Sequence, residues 1–247
     1  MKTLISLCGI CWIGLASLSA QEDARTVKFR VLCYEHAKET LKGFVMGAGG
    51  DKQEVEFFTG GFGPQLSGKF AGGKVRFYTE KPGPDGKPVR TVVGEGNLAA
   101  SAVQMFLLLP ENKTPGPVYR VMAFDDLEAD FPMGSTRVIN LAPFPIRLNL
   151  AGADLEPIKS GGMKVYPQVK VVDEWNMYQA RIDFGVAADQ WVPVATQSWK
   201  ASDRKRDWVI SHIDPVSQTP AIRLYQDVPP WREVALPIGG TGKKTPP

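Results

Sequence analysis

The sequence predicts an all-β protein: two tandem antiparallel β-sandwich domains of immunoglobulin-like type behind a signal peptide. Three observations predict it. Apolar residues recur at every second position in short runs, the rhythm of a strand with one buried face. Clusters of glycine and proline separate those runs. No stretch sustains an apolar period of 3.6 residues over several turns, as a surface helix would. Hydrophobic content of 43% places the chain among globular proteins.

The elements follow in order. Met1–Ala20 reads as a secretory signal peptide: Lys2 gives a positive start, Leu4 to Leu18 is apolar, and Ser19-Ala20 ends in small residues. The apolar part is about 15 residues, against the roughly 20 that span a bilayer, so an uncleaved anchor is the lesser reading. Cys8 and Cys11 leave with the signal, and Cys33 is then the one cysteine of the mature chain, excluding an internal disulfide. About 227 residues remain, enough for burial alone to stabilise.

Alternation marks strands at Thr26–Tyr34 (Val27, Phe29, Val31 and Cys33 inward), at Val75–Tyr78, and at Pro145–Leu150 (Ile146, Leu148 and Leu150 inward). It marks two more at Tyr178–Phe184 and Ile222–Tyr225. Each is read as half-buried with one wet side. Ala102–Leu109 is continuously apolar up to Pro110, which indicates a strand buried on both faces. Trp191–Trp199 and Asp207–Ile213 read as strands joined by a basic loop carrying Lys200, Arg204, Lys205 and Arg206, a solubilising tip. Tyr34–Lys42 and Gly96–Gln104 leave room for a helical turn each.

Two segments, Phe106–Asp126 and Trp208–Asp227, share one pattern: an apolar strand, a break with Thr-Pro, then a strand with one arginine (Arg120, Arg223) and a closing aspartate. Thr26–Val31 and Thr136–Leu141 also match loosely. This predicts a duplication, with domains at 24–130 and 134–236, a connector near Asp130–Gly134, and a disordered tail at 239–247. One larger sandwich is the alternative.

Arg137, Val138, Asn140, Leu141, Pro143 and Gly152 follow the form R-V-x-N-L-x-P leading to a second alternating strand and a glycine. Gly134–Gly152 resembles the opening hairpin of exported bacterial β-sandwich proteins of unknown function. The resemblance covers about twenty residues. It implies an exported β-protein and no particular activity.

A search for chemistry yields little. Ser211 and His212 are neighbours on a strand and point to opposite faces, so with Asp214 they make no triad. Cys33 and His36 lack an orienting partner, and Cys33 on the apolar phase reads as an inert buried thiol. The two histidines, 176 positions apart, form no local metal motif. Asp125, Asp126, Glu128 and Asp130 form an acidic run at the expected junction, a candidate calcium site against the plainer reading of a solvated connector. The glycine clusters fit no nucleotide-binding loop. A net charge of +3 gives no reason to expect nucleic acid. Trp175, Trp191, Trp199, Trp208 and Trp231 all fall in the second half: exposed, they would stack on sugars; buried, they would fill a core. The expectation is a non-enzymatic exported envelope protein without a cofactor, a scaffold or interaction module for another exported protein. A carbohydrate-binding module using those tryptophans is the alternative.

Overall fold

The computed structural model describes residues 24–38, 40–111, 115–214 and 217–229. The expected signal peptide, the tail at 239–247 and Trp231 lie outside the described residues. Among those described there is no helix: Gly96–Gln104 holds no helical turn, and none occurs at the described residues of Tyr34–Lys42.

The first half forms eight strands: β1 (Arg25–Cys33), β2 (Lys42–Met46), β3 (Lys52–Glu56), β4 (Leu66–Phe70), β5 (Lys74–Pro82), β6 (Pro88–Asn97), β7 (Val103–Pro110) and β8 (Tyr119–Asp125). They make one sheet in the order β3-β2-β5-β6-β8-β7-β1-β4. The sheet wraps its own core: Val27, Phe29, Val45, Val55, Phe70, Phe77, Phe106 and Tyr119 meet in one cluster. The second half forms β9 (Thr136–Asn140), β10 (Ile146–Leu150), β11 (Ala153–Asp154), β12 (Met163–Tyr166), β13 (Met177–Ala187), β14 (Gln190–Lys200), β15 (Arg206–Ile213) and β16 (Pro220–Asp227). Two four-stranded sheets, β11-β10-β13-β14 and β12-β9-β15-β16, face each other across a second core of Val138, Ile146, Leu148, Ile182, Phe184, Trp199 and Val209.

A third apolar layer joins the halves. Leu32, Tyr34, Met105, Leu107 and Phe124 from the outer face of β1, β7 and β8 pack on Ile139, Trp208, Ile210 and Tyr225 from the outer face of β9, β15 and β16. This explains β7. Phe106 and Leu108 face the first core while Met105 and Leu107 face the joint, so the strand is apolar throughout and both its faces are buried.

Three expectations are corrected. First, the sheets are not purely antiparallel: β1 runs parallel to β7, β6 to β8, and β9 to β15. Alternation fixes which face is buried and says nothing of a neighbour's direction. At the β6–β8 contact, a side chain on Gly96 would put its Cβ 2.1 Å from the Val121 carbonyl oxygen, so only glycine permits that approach. Second, β1 has no wet side beyond Lys28, since Arg30, Leu32 and Tyr34 are all buried against the second half. Third, Thr136–Asn140 and Ile146–Leu150 are not a hairpin. They lie in opposing sheets, and the chain arches between them. Fully buried Asn140 pins the arch. Its Nδ2 donates to Phe144 O (2.8 Å) and Ile158 O (3.0 Å), and its Oδ1 accepts from Ala142 N–H (3.0 Å) and Ser211 Oγ (2.7 Å).

The same three-stranded arrangement occurs twice, as β8-β7-β1 and β16-β15-β9. Arg30 lies beside Met105 and Phe124, and Arg137 beside Trp208 and Tyr225, at matching rungs. Asp126 and Asp227 follow two residues after Phe124 and Tyr225. Arg120 and Arg223 do not match: Arg120 is opposite Leu109 and Arg223 opposite Ile210, two rungs apart in the two hairpins.

Candidate functional site: a buried charge cluster and an open groove

Two places gather charged groups. The first is one end of the joint. Arg30, on β1, donates to Asp227 Oδ1 and Asp126 Oδ2, each at 2.6 Å. Arg206, at the start of β15, donates to Asp227 Oδ2 at 2.6 Å, Asp126 Oδ1 at 2.9 Å and the Phe131 carbonyl at 3.0 Å. All four side chains are at most 6% exposed. Burial pushes the Asp227 carboxyl up, but Arg30 and Arg206 outweigh it and hold it below the usual carboxylate value. The expectation that Arg206 sits on a solubilising tip is therefore corrected. Lys205 also leaves the solvent, binding the Asp207 carboxylate.

Arg137 adjoins this cluster. It donates to Asp125 O (2.7 Å), and its guanidinium lies 4.3 Å from the Phe131 ring and 4.6 Å from the Trp208 ring. Burial, with Arg206 nearby, brings it down to about 10. The acidic run is split by the same packing. Asp126 belongs to the arginines, Asp125 accepts from Ser101 N–H, and Glu128 and Asp130 face solvent. Among the described residues no three His, Cys, Asp or Glu side chains gather as metal ligands would.

At the other end of the joint, Tyr34 Oη and His212 Nδ1 are 2.6 Å apart, and the Arg223 guanidinium lies 4.0 Å from the Tyr34 ring. Burial lowers His212 and raises Tyr34. Ser211 turns the opposite way, to Asn140. Cys33 is buried, its thiol pushed up to about 11, while His36 bonds the Phe57 carbonyl instead.

The four described tryptophans share no surface. Trp208 and Trp199 are buried, Trp191 is half-buried beneath Arg147, and Trp175 is exposed. Trp175 precedes β13 and Trp191 follows its far end, about 30 Å away along the strand at ~3.3 Å per residue. Near Trp191, exposed Phe144, Val186 and Val192 form a small apolar end to the molecule.

The second place is a groove along the open side of the first sheet. β3 and β4 are the sheet's two edges. The turn between β2 and β3 meets β4 where Ala48 N–H reaches Lys69 O at 2.6 Å, and the chain after β3 returns to β1 through Cys33 N–H to Phe58 O and Gly63 N–H to Val31 O. Between these ties lies a pocket of about 250 Å³ walled by Val31, Val55, Phe58 and Leu66 together with Lys42, Glu54 and Glu56. It shares Lys42 and Glu54 with a cleft of about 890 Å³. It shares Gly63 and Pro64 with a depression of about 470 Å³ that reaches Arg30 and Asp227. In the cleft, Lys52 pairs with Glu80, which also binds Arg90. Lys38, Lys42 and Lys81 have no carboxylate partner among the described residues, and Glu54 stands with them.

A comparison with known protein-family models finds no match to this chain, and a comparison with curated proteins finds no significant relative.

Sequence reasoning missed both places. Recurrence of Asp126 and Asp227 was the available signal for the charge cluster. Nothing in the sequence ties Lys38 and Lys42 to Lys81, which lies in a separate strand.

Proposed function

We propose that the protein is an exported, non-enzymatic envelope component that holds another exported protein. In this reading, residues 24–130 and 134–236 are tandem copies of a sandwich unit, immunoglobulin-like in plan and related by duplication. The twice-used three-stranded arrangement and the matching Asp126 and Asp227 support that origin. One observation carries the function. Buried titratable groups pair with one another across the joint, whereas the groove stands open beside a strand edge with no neighbouring strand among the described residues, lined by Lys38, Lys42 and Lys81 together with Glu54 and Glu56. The first arrangement makes a rigid body, and the second offers a contact surface. Carbohydrate binding would rest on Trp175 and Trp191, which stand at opposite ends of β13 and form no shared platform.

The test is site-specific photo-cross-linking in the full exported chain, with the reactive group at Lys42 in the groove or at Val186 at the apolar end. A discrete adduct with another exported protein is expected. Adducts only with glycan, or turnover of a small substrate by the purified chain, would replace this reading.

A further inference from the structure

The end of the joint opposite the charge cluster is held by groups of a different kind. Polar contacts cross between the halves there, and they converge on Tyr34 and Glu35. Tyr34 Oη lies 2.6 Å from His212 Nδ1, Arg223 donates to the Tyr34 carbonyl, and the Arg223 guanidinium stands 3.7 Å from the Glu35 carboxylate. The Tyr34 and His212 rings meet edge to face with centroids 4.3 Å apart.

The surroundings decide where the proton of this pair sits. Burial opposes ionisation of Tyr34, so its hydroxyl keeps its proton and donates to Nδ1. The imidazole proton is then on Nε2, which is buried on the β16 side beside the main chain of Ala221. A second proton enters at Nδ1, the nitrogen that accepts from Tyr34. Imidazolium has two donors and no acceptor, so the Tyr34 hydroxyl loses the partner it has among the described residues. The charged groups facing His212 are Arg223 from β16, Asp214 just after β15 and Glu35 from the chain after β1. The phenols of Tyr34 and Tyr225 stand beside them. The two carboxylates favour the imidazolium, Arg223 opposes it, and burial outweighs the carboxylates.

The far end of the joint answers to a different range of pH. Its crossing contacts are Arg30 to Asp227 and Arg206 to Asp126, and the two arginines hold the Asp227 carboxyl below its usual value. That carboxylate therefore keeps its charge while a histidine titrates.

We propose that Tyr34 and His212 form an acid-released latch: a proton on His212 frees Tyr34, Glu35 and the facing part of β16 from one another, while the arginine–aspartate cluster keeps the opposite end of the joint closed. The apolar layer between the two ends holds the halves together through the change. The latch belongs to the joint and is independent of what the groove holds.

The experiment labels the full chain with nitrogen-15 and reads it by NMR at pH 7.5 and 5.0. The His212 ring resonances report where its proton sits. Amide hydrogen exchange, corrected for the intrinsic rate at each pH, reports local opening. At pH 7.5 Nδ1 is expected to be unprotonated. Between pH 7.5 and 5.0, protection is expected to fall at least fivefold at residues 221–223 and at the Tyr34 amide, which closes the β1–β7 pairing on Leu108 O. Protection of the Arg30 and Asp227 amides should change less than twofold. His212→Gln should remove the response, and Tyr34→Phe should give the lowered protection at both pH values. His36→Gln, at the other histidine, should leave the response intact. Nδ1 protonated at pH 7.5, equal loss at both ends, no loss at this end, or a response that survives His212→Gln would each overturn the proposal. Should a variant fail to fold, the ring resonances of the unsubstituted chain and the contrast between its two ends decide the matter by themselves.

Discussion

Asp227 and Arg137 show how differently two buried charges behave a few ångströms apart. Asp227 meets two arginines and keeps its charge. Arg137 meets aromatic faces and a carbonyl, its Nε has no hydrogen-bond partner among the described residues, and its guanidinium is held below its ordinary value by burial. Removing one member of a buried ion cluster leaves the others uncompensated, so Asp227→Asn should cost about 3–5 kcal/mol in denaturant unfolding. Arg137→Met should cost less than about 1.5 kcal/mol, because it removes a desolvation penalty along with the stacking. His212 gives a pH signature. Burial lowers its folded value, so the unfolded chain takes up the proton first as pH falls. The stabilisation is whole above about pH 6.5 and is lost as pH falls from there through the folded value. Urea midpoints measured from pH 7.5 to 5 should decline, and His212→Gln should flatten the decline. A steeper slope in the variant would contradict this account of the pair with Tyr34.

Strands were legible in the sequence where alternation was long and unbroken. β1, β10, β13 and β16 are such strands, and β7 betrayed its two buried faces by being apolar throughout. β3 was not legible: Lys52–Glu56 has one buried apolar residue, Val55, between charged neighbours. The pairing of β1 with β7 and of β9 with β15 was equally hidden, because partners that far apart in sequence leave no local mark. The β9–β10 arch looked like a hairpin since a Pro-containing turn serves either geometry. What decides it is Asn140, whose four hydrogen bonds tie the arch to Ile158 and to β15. Asn140→Ala strands the Ala142 N–H, the Ser211 hydroxyl and the Phe144 carbonyl, while the Ile158 carbonyl keeps the Ile146 N–H, so a loss of about 2–4 kcal/mol is expected by thermal and urea unfolding. A loss under about 1 kcal/mol would mean that the arch is held by apolar packing instead.

At the scale of the molecule, the joint turns two β-rich halves into one body. The apolar layer around Trp208 packs the halves together, and the arginine–aspartate cluster ties β1 and Asp126 of one half to Arg206 and Asp227 of the other. None of this was visible as site chemistry in the sequence: Arg30 looked like a wet-face residue, and its partner Asp227 lies 197 positions away. The groove beside β3 depends on the same architecture, because closure of the first sheet stops short at its two edges. The most direct test of the joint is a double-mutant cycle on the full chain with Arg30→Met and Asp227→Leu, read by urea unfolding. A contact at 2.6 Å predicts that the two losses are non-additive by about 1.5 kcal/mol or more. Losses that simply add would show that the halves do not meet there.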